Sequence, residues 1–393
     1  MPQHVEQTGE RIARFRKLRQ ITQQGLATEA AISYSTLTKV EQGVIPASPT
    51  VLGAVARALR VQVVELTGQP YLTELQQDEL DVLIQPIREA MDVYDLGADP
   101  DVRPRSIAEL HAEAEELCER VRATDLKWAA AGLPALMLEA TAAAYLDPSD
   151  AAWRVLASTY RTAYDVTSKL GYPDLCMIAL DRLEWAAQRA SDPILAGARQ
   201  YFRTLAYTRT GQVATGRRLI ASGLDYLMQA PAGRVRDAVT GQLHLGAAVI
   251  AARSGDGSAA GQHIAEARRF AALTGPAETV HWLSFGPTNV EVHNVGILAD
   301  QERHDEAVEA ARAVVVPDGW ARSRASAHLA EVARSQLLTG KADKALQGLM
   351  RAREMAPQQM RYHPMVRDTI AGLLSARRSS PRSLNNLAAW AGI

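Results

Sequence analysis

The 393-residue chain has two cysteines, Cys118 and Cys176. They lie far apart and form no Cys-x-x-Cys pair, which argues against a disulfide framework and against a cysteine-ligated zinc site. Aromatic residues make up 5% of the chain, a composition that suits helices better than sheets. No run of eighteen or more apolar residues occurs, so no helix is expected to span a membrane. The first twenty residues lack the apolar core of a signal peptide, and the expected location is the cytoplasm. An excess of either charge is missing too. Lys plus Arg number 43 against 44 Asp plus Glu, for a net charge of −1, which at face value speaks against a nucleic-acid partner. The 47% of hydrophobic residues is ample for a large core, and the length favours two to three domains.

The charge is unevenly placed. Residues 1–70 hold eight basic residues and five acidic ones, a balance of +3, which leaves −4 for the other 323. Five of those eight cations fall between Arg11 and Arg19. The same segment reads as five short helices. Ile12, Phe15 and Leu18 mark one face of the first. Thr22 caps a second, with Leu26 and Ala27 inward. Ser33 caps a third, built on Leu37 and Val40 and ended by Gly43. Ser48 followed by Pro49 opens a fourth, and Val63 to Thr67 makes a fifth. About three residues join the second helix to the third, the spacing of a helix-turn-helix whose second member can enter the major groove. Tyr34, Ser35, Thr38, Lys39 and Gln42 point away from the Leu37/Val40 face. Their hydroxyls and one cation suit base edges and phosphates. Gln23 stands at a helix N-terminus, which favours a phosphate.

Residues 12–43, with Thr22-Gln23, Leu26-Ala27, Ala31-Ile32-Ser33, Leu37 and Val40-Glu41-Gln42-Gly43 in register, resemble the DNA-binding domain of Cro/Xre-type, lambda-repressor-like regulators. The resemblance covers about 60 residues. It implies that Gln23 clamps a phosphate, and that Arg19, Ser33, Tyr34, Ser35, Thr38 and Lys39 belong to the DNA-binding surface. It also implies that Arg16 and Glu41 form a structural ion pair. Three residues depart from the pattern. Gln20 and Ala31 stand where the family has glycine, at roughly 1–2 kcal/mol each if their backbone is left-handed. Gly25 lies inside the second helix, at about 1 kcal/mol relative to alanine.

Residues 71–106 read as a linker helix (Thr73 to Tyr94) and a turn-rich connector. Residues 107–393 read as alanine-rich amphipathic helices. Helix pairs are expected to start near Pro148, Pro193, Arg234, Pro287 and Ala321, with Asp147-Pro148 and Asp192-Pro193 as cap-and-proline starts. Gly171, Gly211, Gly255, Gly275 and Gly340 are the expected stops. Segments 205–227, 251–273 and 332–354 share one layout and resemble degenerate tetratricopeptide repeats. The fold class is therefore all-α, a five-helix helix-turn-helix domain followed by a tetratricopeptide-like α-solenoid with a concave side. The basic run Arg377 to Arg382 reads as a solvated helix end.

The chain offers little chemistry. Its nine histidines make no metal-ligand spacing, no Gly-x-Ser-x-Gly elbow occurs, and Gly340-Lys341 is followed by Ala342 rather than Ser or Thr. No enzyme activity, cofactor or metal is expected. The segment His281 to Asn294 stands out, because polar and aromatic residues interrupt the alanine background. Pro287 is placed at a helix start, with Asn289 and His293 on one face and Val292, Val295 and Ala299 packed opposite. The segment is similar to the Phe-Gly-Pro-x-Asn-Val-x2-His stretch of actinobacterial Xre-type regulators with tetratricopeptide-like C-terminal halves. More distantly, the architecture is similar to Gram-positive quorum-sensing peptide receptors, which use an Asn on the concave face to hold a peptide. Trp282, Phe285, Asn289 and His293 are accordingly the candidate ligand residues. A packing alternative stands beside this, with Phe285 stapling onto Val290 and Asn289 and His293 serving neighbouring backbone. The combined reading is a dimeric bacterial regulator that binds a double-stranded DNA operator and senses a signalling peptide or small molecule. The alternative is a DNA-tethered adaptor whose solenoid binds a protein.

Overall fold

The computed structural model describes residues 6–67, 74–209, 211–376 and 380–393. Among them the regular elements are helical, and one isolated bridge joins Ala277 to Phe285. Five helices form the first domain: α1 (Thr8–Leu18), α2 (Gln23–Glu29), α3 (Tyr34–Glu41), α4 (Pro49–Leu59) and α5 (Val63–Thr67). The expected caps are in place. Thr22, Ser33 and Ser48 accept the backbone N–H of Gly25, Thr36 and Val51, each satisfying an orphan donor of a first turn. Gln20 and Ala31 do adopt left-handed backbone, at φ 57° and 54°. Gly25 lies in the first turn of α2, where its N–H serves the cap. Ile12, Leu26, Leu37, Val55 and Leu59 make the fully buried centre of the domain.

The rest of the chain opens with α6 (Glu74–Asp92), α7 (Ile107–Arg122) and α8 (Leu126–Leu146), and continues with α9 (Asp150–Leu170) and α10 (Pro173–Arg189). Then come α11 (Pro193–Arg209), α12 (Val213–Met228), α13 (Arg234–Arg253), α14 (Gly257–Thr274), α15 (Pro287–Asp300) and α16 (His304–Arg312). The chain ends with α17 (Arg322–Leu338), α18 (Ala342–Met355), the short α19 (Pro357–Arg361), α20 (Pro364–Ser375) and α21 (Arg382–Ala391). Successive helices pair as hairpins from α9/α10 to α17/α18, and each hairpin packs on the next. Gly171, Gly211, Gly255, Gly275 and Gly340 all take positive φ where helices end. The hairpin starts expected at Pro193, Arg234, Pro287 and Ala321 fall within one residue of the observed ones.

Three expectations need correction. The first hairpin starts at Asp150 with Ser149 as its cap, accepting the Ala152 N–H, so Asp147-Pro148 is not the cap. The helix read as a linker is part of the repeat domain. Ile84, Ile87, Ala90 and Met91 of α6 share one core with α7 to α10. Its expected start, Thr73, lies outside the described residues, as do Arg377, Arg378 and Ser379 of the basic run. Finally, one helix, α8, is long and apolar enough to cross a membrane by length and composition. Its Leu126, Ala130, Leu133, Leu136 and Met137 are fully buried against neighbouring helices, as befits a core helix that is apolar on every side.

The array curls until its beginning meets its end. Thr124 Oγ1 donates to Met355 O, and the N–H groups of Leu126 and Lys127 point at Gln358 Oε1 (3.0 and 3.2 Å). The first domain rests on the edge of this curl. Val51 to Ala56 of α4 are six consecutive buried residues. A helix buried on successive residues is covered on both sides, here by its own domain and by the repeat hairpins. Gly53 and Gly211 meet backbone to backbone, so a Cβ on Gly211 would lie 3.1 Å from Gly53 Cα. Arg57 Nη1 donates to Gly211 O (2.9 Å), and Thr8 Oγ1 donates to Asp368 Oδ1 of α20 (2.9 Å).

Candidate DNA-reading surface and inner groove

The α2–α3 turn is closed by backbone hydrogen bonds from Ala31 N to Thr28 O and from Ile32 N to Ala27 O. It holds α3 with Leu37 and Val40 inward, while Tyr34 (47% exposed), Ser35, Lys39 and Gln42 lie open to solvent. Ser33 Oγ is occupied as the cap and bonds Thr36 Oγ1 at 2.7 Å. Thr38 Oγ1 folds back onto Tyr34 O. Arg16 and Glu41 form a bidentate pair at 2.7 and 2.9 Å, and this hydrogen bonding raises the arginine pKa. Gln23 Nε2 donates to Glu41 Oε2 (2.8 Å), which fixes that side chain beside the N-terminus of α2. The cations of α1 are less free than their number suggests. Arg11 donates to Thr67 O, and Arg14 sits 3.2 Å from Glu6. Lys17, Arg19 and Lys39 remain without a carboxylate partner among the described residues.

On the inner side of the curl the segment 277–286 interrupts the hairpin rhythm. His281, Trp282 and Ser284 all take positive φ (43°, 53° and 61°), a cluster of strained non-glycine backbone such as functional sites tend to hold. Arg122 of α7 clamps it, donating to Glu278 O and Ser284 Oγ (both 2.9 Å) and pairing with Glu278 (3.1 Å). Trp282 Nε1 donates to Glu115 (3.1 Å), with Arg122 lying over its ring. A cleft of about 910 Å³ opens here, between the end of α7, Trp282, the 316–321 connector with Trp320, and α17 with His328.

The four candidate ligand residues separate. Trp282 lines this cleft. Phe285 does not face any groove, which corrects its reading as a ligand contact. It is fully buried with Val290 in one cluster and packs so tightly on Gly241 that a Cβ there would lie 2.1 Å from its ring. It precedes the N-cap Gly286 and so makes the hydrophobic staple of α15. Asn289 and His293 share a face as expected, with Val292, Val295 and Ala299 buried opposite. Asn289 is 1% exposed and already engaged. Arg324 of α17 donates to its Oδ1 through Nη2 (2.7 Å) and Nε (3.2 Å), and its Nδ2 faces Gln242 Oε1 of α13 (3.4 Å). His293 Nε2 is buried without a hydrogen-bond partner, and so is Nδ1 of His328, one turn beyond Arg324. Burial, then the Arg324 charge, lowers the pKa of both histidines, that of His328 to about 4.

Sequence reasoning missed Gln242, Arg324 and His328. They lie on α13 and α17, the first helices of the hairpins on either side of the one that carries Asn289, and only the stacking brings them together. Trp185 joins Tyr94, Tyr145 and Trp153 in an aromatic cluster, and Tyr201 is 4% exposed, both as core residues.

No curated protein matches the chain. The crystal structure of Bacillus thuringiensis PlcR in complex with the peptide PapR7 and DNA is similar at 11% identity, covering 92% of this chain and 99% of that one, with a TM-score of 0.25. That similarity is too slight to transfer anything to this chain. A family model described as a helix-turn-helix domain matches residues 7–67, the span of α1 to α5. The chain thus carries an N-terminal helix-turn-helix domain, followed by a helical-repeat domain.

Proposed function

We propose that this protein is a sequence-specific DNA-binding transcription regulator whose repeat domain senses a signal. The observation that carries the reading is the exposed, capped α3, with Tyr34, Ser35, Lys39 and Gln42 outward. Phosphate contacts from Gln23, Arg19 and the Ser33 end of α3 would set register, and Tyr34, Ser35, Thr38 and Lys39 would read base edges. One such head supplies few contacts, so tight binding calls for a homodimer on a two-fold site with half-sites about 34–36 Å apart.

The packing of the two domains supports a route for the signal. Helix α4 rests on the turn at Gly211, and α1 is tied to α20 through Thr8 and Asp368. A ligand that changes the curl of the hairpins would therefore move the reading head, provided it binds one curl more tightly than another. The test is a mobility shift on the DNA upstream of the protein's own gene. Wild type should bind, and the Ser35→Ala/Lys39→Ala double variant should not. Equal, weak binding by both would remove the basis of the regulator reading.

A further inference from the structure

The arginines that burial pushes below the usual guanidinium pKa are Arg11, Arg122, Arg199, Arg324 and Arg367. A carboxylate acts on four of them: Glu6 on Arg11, Glu278 on Arg122, Glu184 on Arg199 and Asp368 on Arg367. None acts on Arg324. The most deeply buried arginines follow the same pattern, with Arg161 on Asp165, Arg199 on Glu184 and Arg334 on Glu331. A charge withdrawn from water is costly unless paired, and each of these other arginines has its carboxylate.

Arg324 instead lies against a neutral amide. Its Nε and Nη2 each spend one N–H on Asn289 Oδ1. A guanidinium carries five N–H donors in a fixed fork, so the two on Nη1 and one on Nη2 remain. Arg324 is part-buried, as is His293, so the fork is reachable from the groove. His328 is 8% exposed, lines the 910 Å³ cleft, and has a buried Nδ1 with no partner. His293, which also feels the Arg324 charge, presents a second orphan ring nitrogen. Asn289 fixes the fork, and two neutral imidazoles flank it.

We propose that Arg324, oriented by Asn289 and flanked by His293 and His328, is the seat of an oxyanion, a carboxylate or phosphate group, carried by the ligand of the repeat domain. The proposal rests on the reading of the inner groove as the sensing surface. It assigns the ligand's anionic end to Arg324, and the cleft beyond His328, where Trp282 and Trp320 stand among charged residues such as Arg122, Glu278 and Arg351, is placed to take the remainder. Planar oxyanions match the remaining N–H fork of arginine, whereas a lysine would offer only a point charge.

The test uses the full-length protein and simple anions. Thermal unfolding is followed in increasing acetate or inorganic phosphate against chloride at equal ionic strength. One or both anions should raise the wild-type Tm in a saturable way, as expected for binding to the native state. The anion that acts at the lower concentration tells a carboxylate ligand from a phosphate. Arg324→Gln should require at least ten times more anion for the same rise. Arg324→Lys keeps the charge without the fork, should fall between the two, and serves if the glutamine variant does not fold. The proposal is overturned if neither anion acts on wild type, or if the variants respond as wild type does. Operator binding in a cell extract separates this from the sensing reading. An extract effect retained by Arg324→Gln would leave sensing intact and remove the anion seat. Anion binding at Arg324 with no extract effect on wild type would do the reverse.

Discussion

The reading helix and the inner groove use polar residues in opposite ways. On α3 the polar side chains project into solvent, and the buried work is left to Leu37 and Val40. In the groove, Asn289, His293, Arg324 and His328 turn inward, where hydration is partly lost and partners are incomplete. The first surface is open to solvent. The second contains donors and acceptors that the protein itself leaves unanswered. Buried polar groups without partners weigh on stability by about 1–3 kcal/mol each, a cost the groove shares with core positions such as Tyr160 and Arg334.

Substitutions can break this contrast at several scales. The largest effect is expected at Phe285, which belongs to the packed side of α15 and not to the groove. Phe285→Ala should lower unfolding free energy by about 3–5 kcal/mol in denaturant titrations. A variant that stays stable but loses ligand response would return Phe285 to the groove. Next comes the Ser35→Ala/Lys39→Ala pair, which should weaken operator binding by about thirty-fold or more, since base contacts are worth about 1–3 kcal/mol each, with the unfolding midpoint unchanged. Ala31→Gly in the turn should add about 1 kcal/mol of stability by relieving the left-handed alanine. No gain would mean that the side chain packs well enough to offset the strain.

The two sides also differ in pH response. Burial raises Asp368, at the foot of the reading head, to about 6. The folded state then holds a proton that the unfolded chain has released, so stability from this group falls as pH rises from about 4 to about 6. His328 has the opposite sign. Its pKa falls from 6.5 to about 4, so the unfolded chain takes the proton first, and stability falls as pH drops through that window. Asp368→Asn should flatten the first dependence, and His328→Gln the second, in unfolding midpoints measured from pH 4 to 7.

How much of this the sequence disclosed follows from the range of each interaction. Thr22, Ser33, Ser48 and Pro49 act on backbone within three residues, and their positions were readable directly. The left-handed Gln20 and Ala31 were readable because glycine stands there in the family that residues 12–43 resemble. Hairpin starts followed from periodicity and turn glycines, except where Ser149 displaced Asp147 as a cap. The pairing of Asn289 with Arg324 was not readable. It joins residues 35 positions apart on different hairpins, and nothing local to either predicts the angle at which those hairpins stack. The sequence allowed Phe285 both as a ligand contact and as a staple on Val290; the local staple was readable, and only its packing on Gly241 of another hairpin was not. The docking of α4 had a legible signal that sequence reasoning passed over. Val51 to Ala56 are all small or apolar, and an all-round apolar helix is buried on all sides.

The structure also revises the charge argument. With Arg16 held by Glu41, the cations of α1 and α3 that could face DNA are Arg11, Arg14, Lys17, Arg19 and Lys39. Arg11 and Arg14 both pair with Glu6, at 3.8 and 3.2 Å, which leaves three without a carboxylate. A two-headed complex should therefore neutralise about six phosphates, and log K against log salt should have a slope of about −5.

The account stands most directly on the claim that α3 reads a sequence. The decisive measurement is selection of bound DNA from a random pool by full-length wild type and by Ser35→Ala/Lys39→Ala, under matched salt. The account predicts that wild type enriches one two-fold-symmetric site and that the double variant enriches none. Equal pools from both proteins, or no enrichment by wild type, would contradict it.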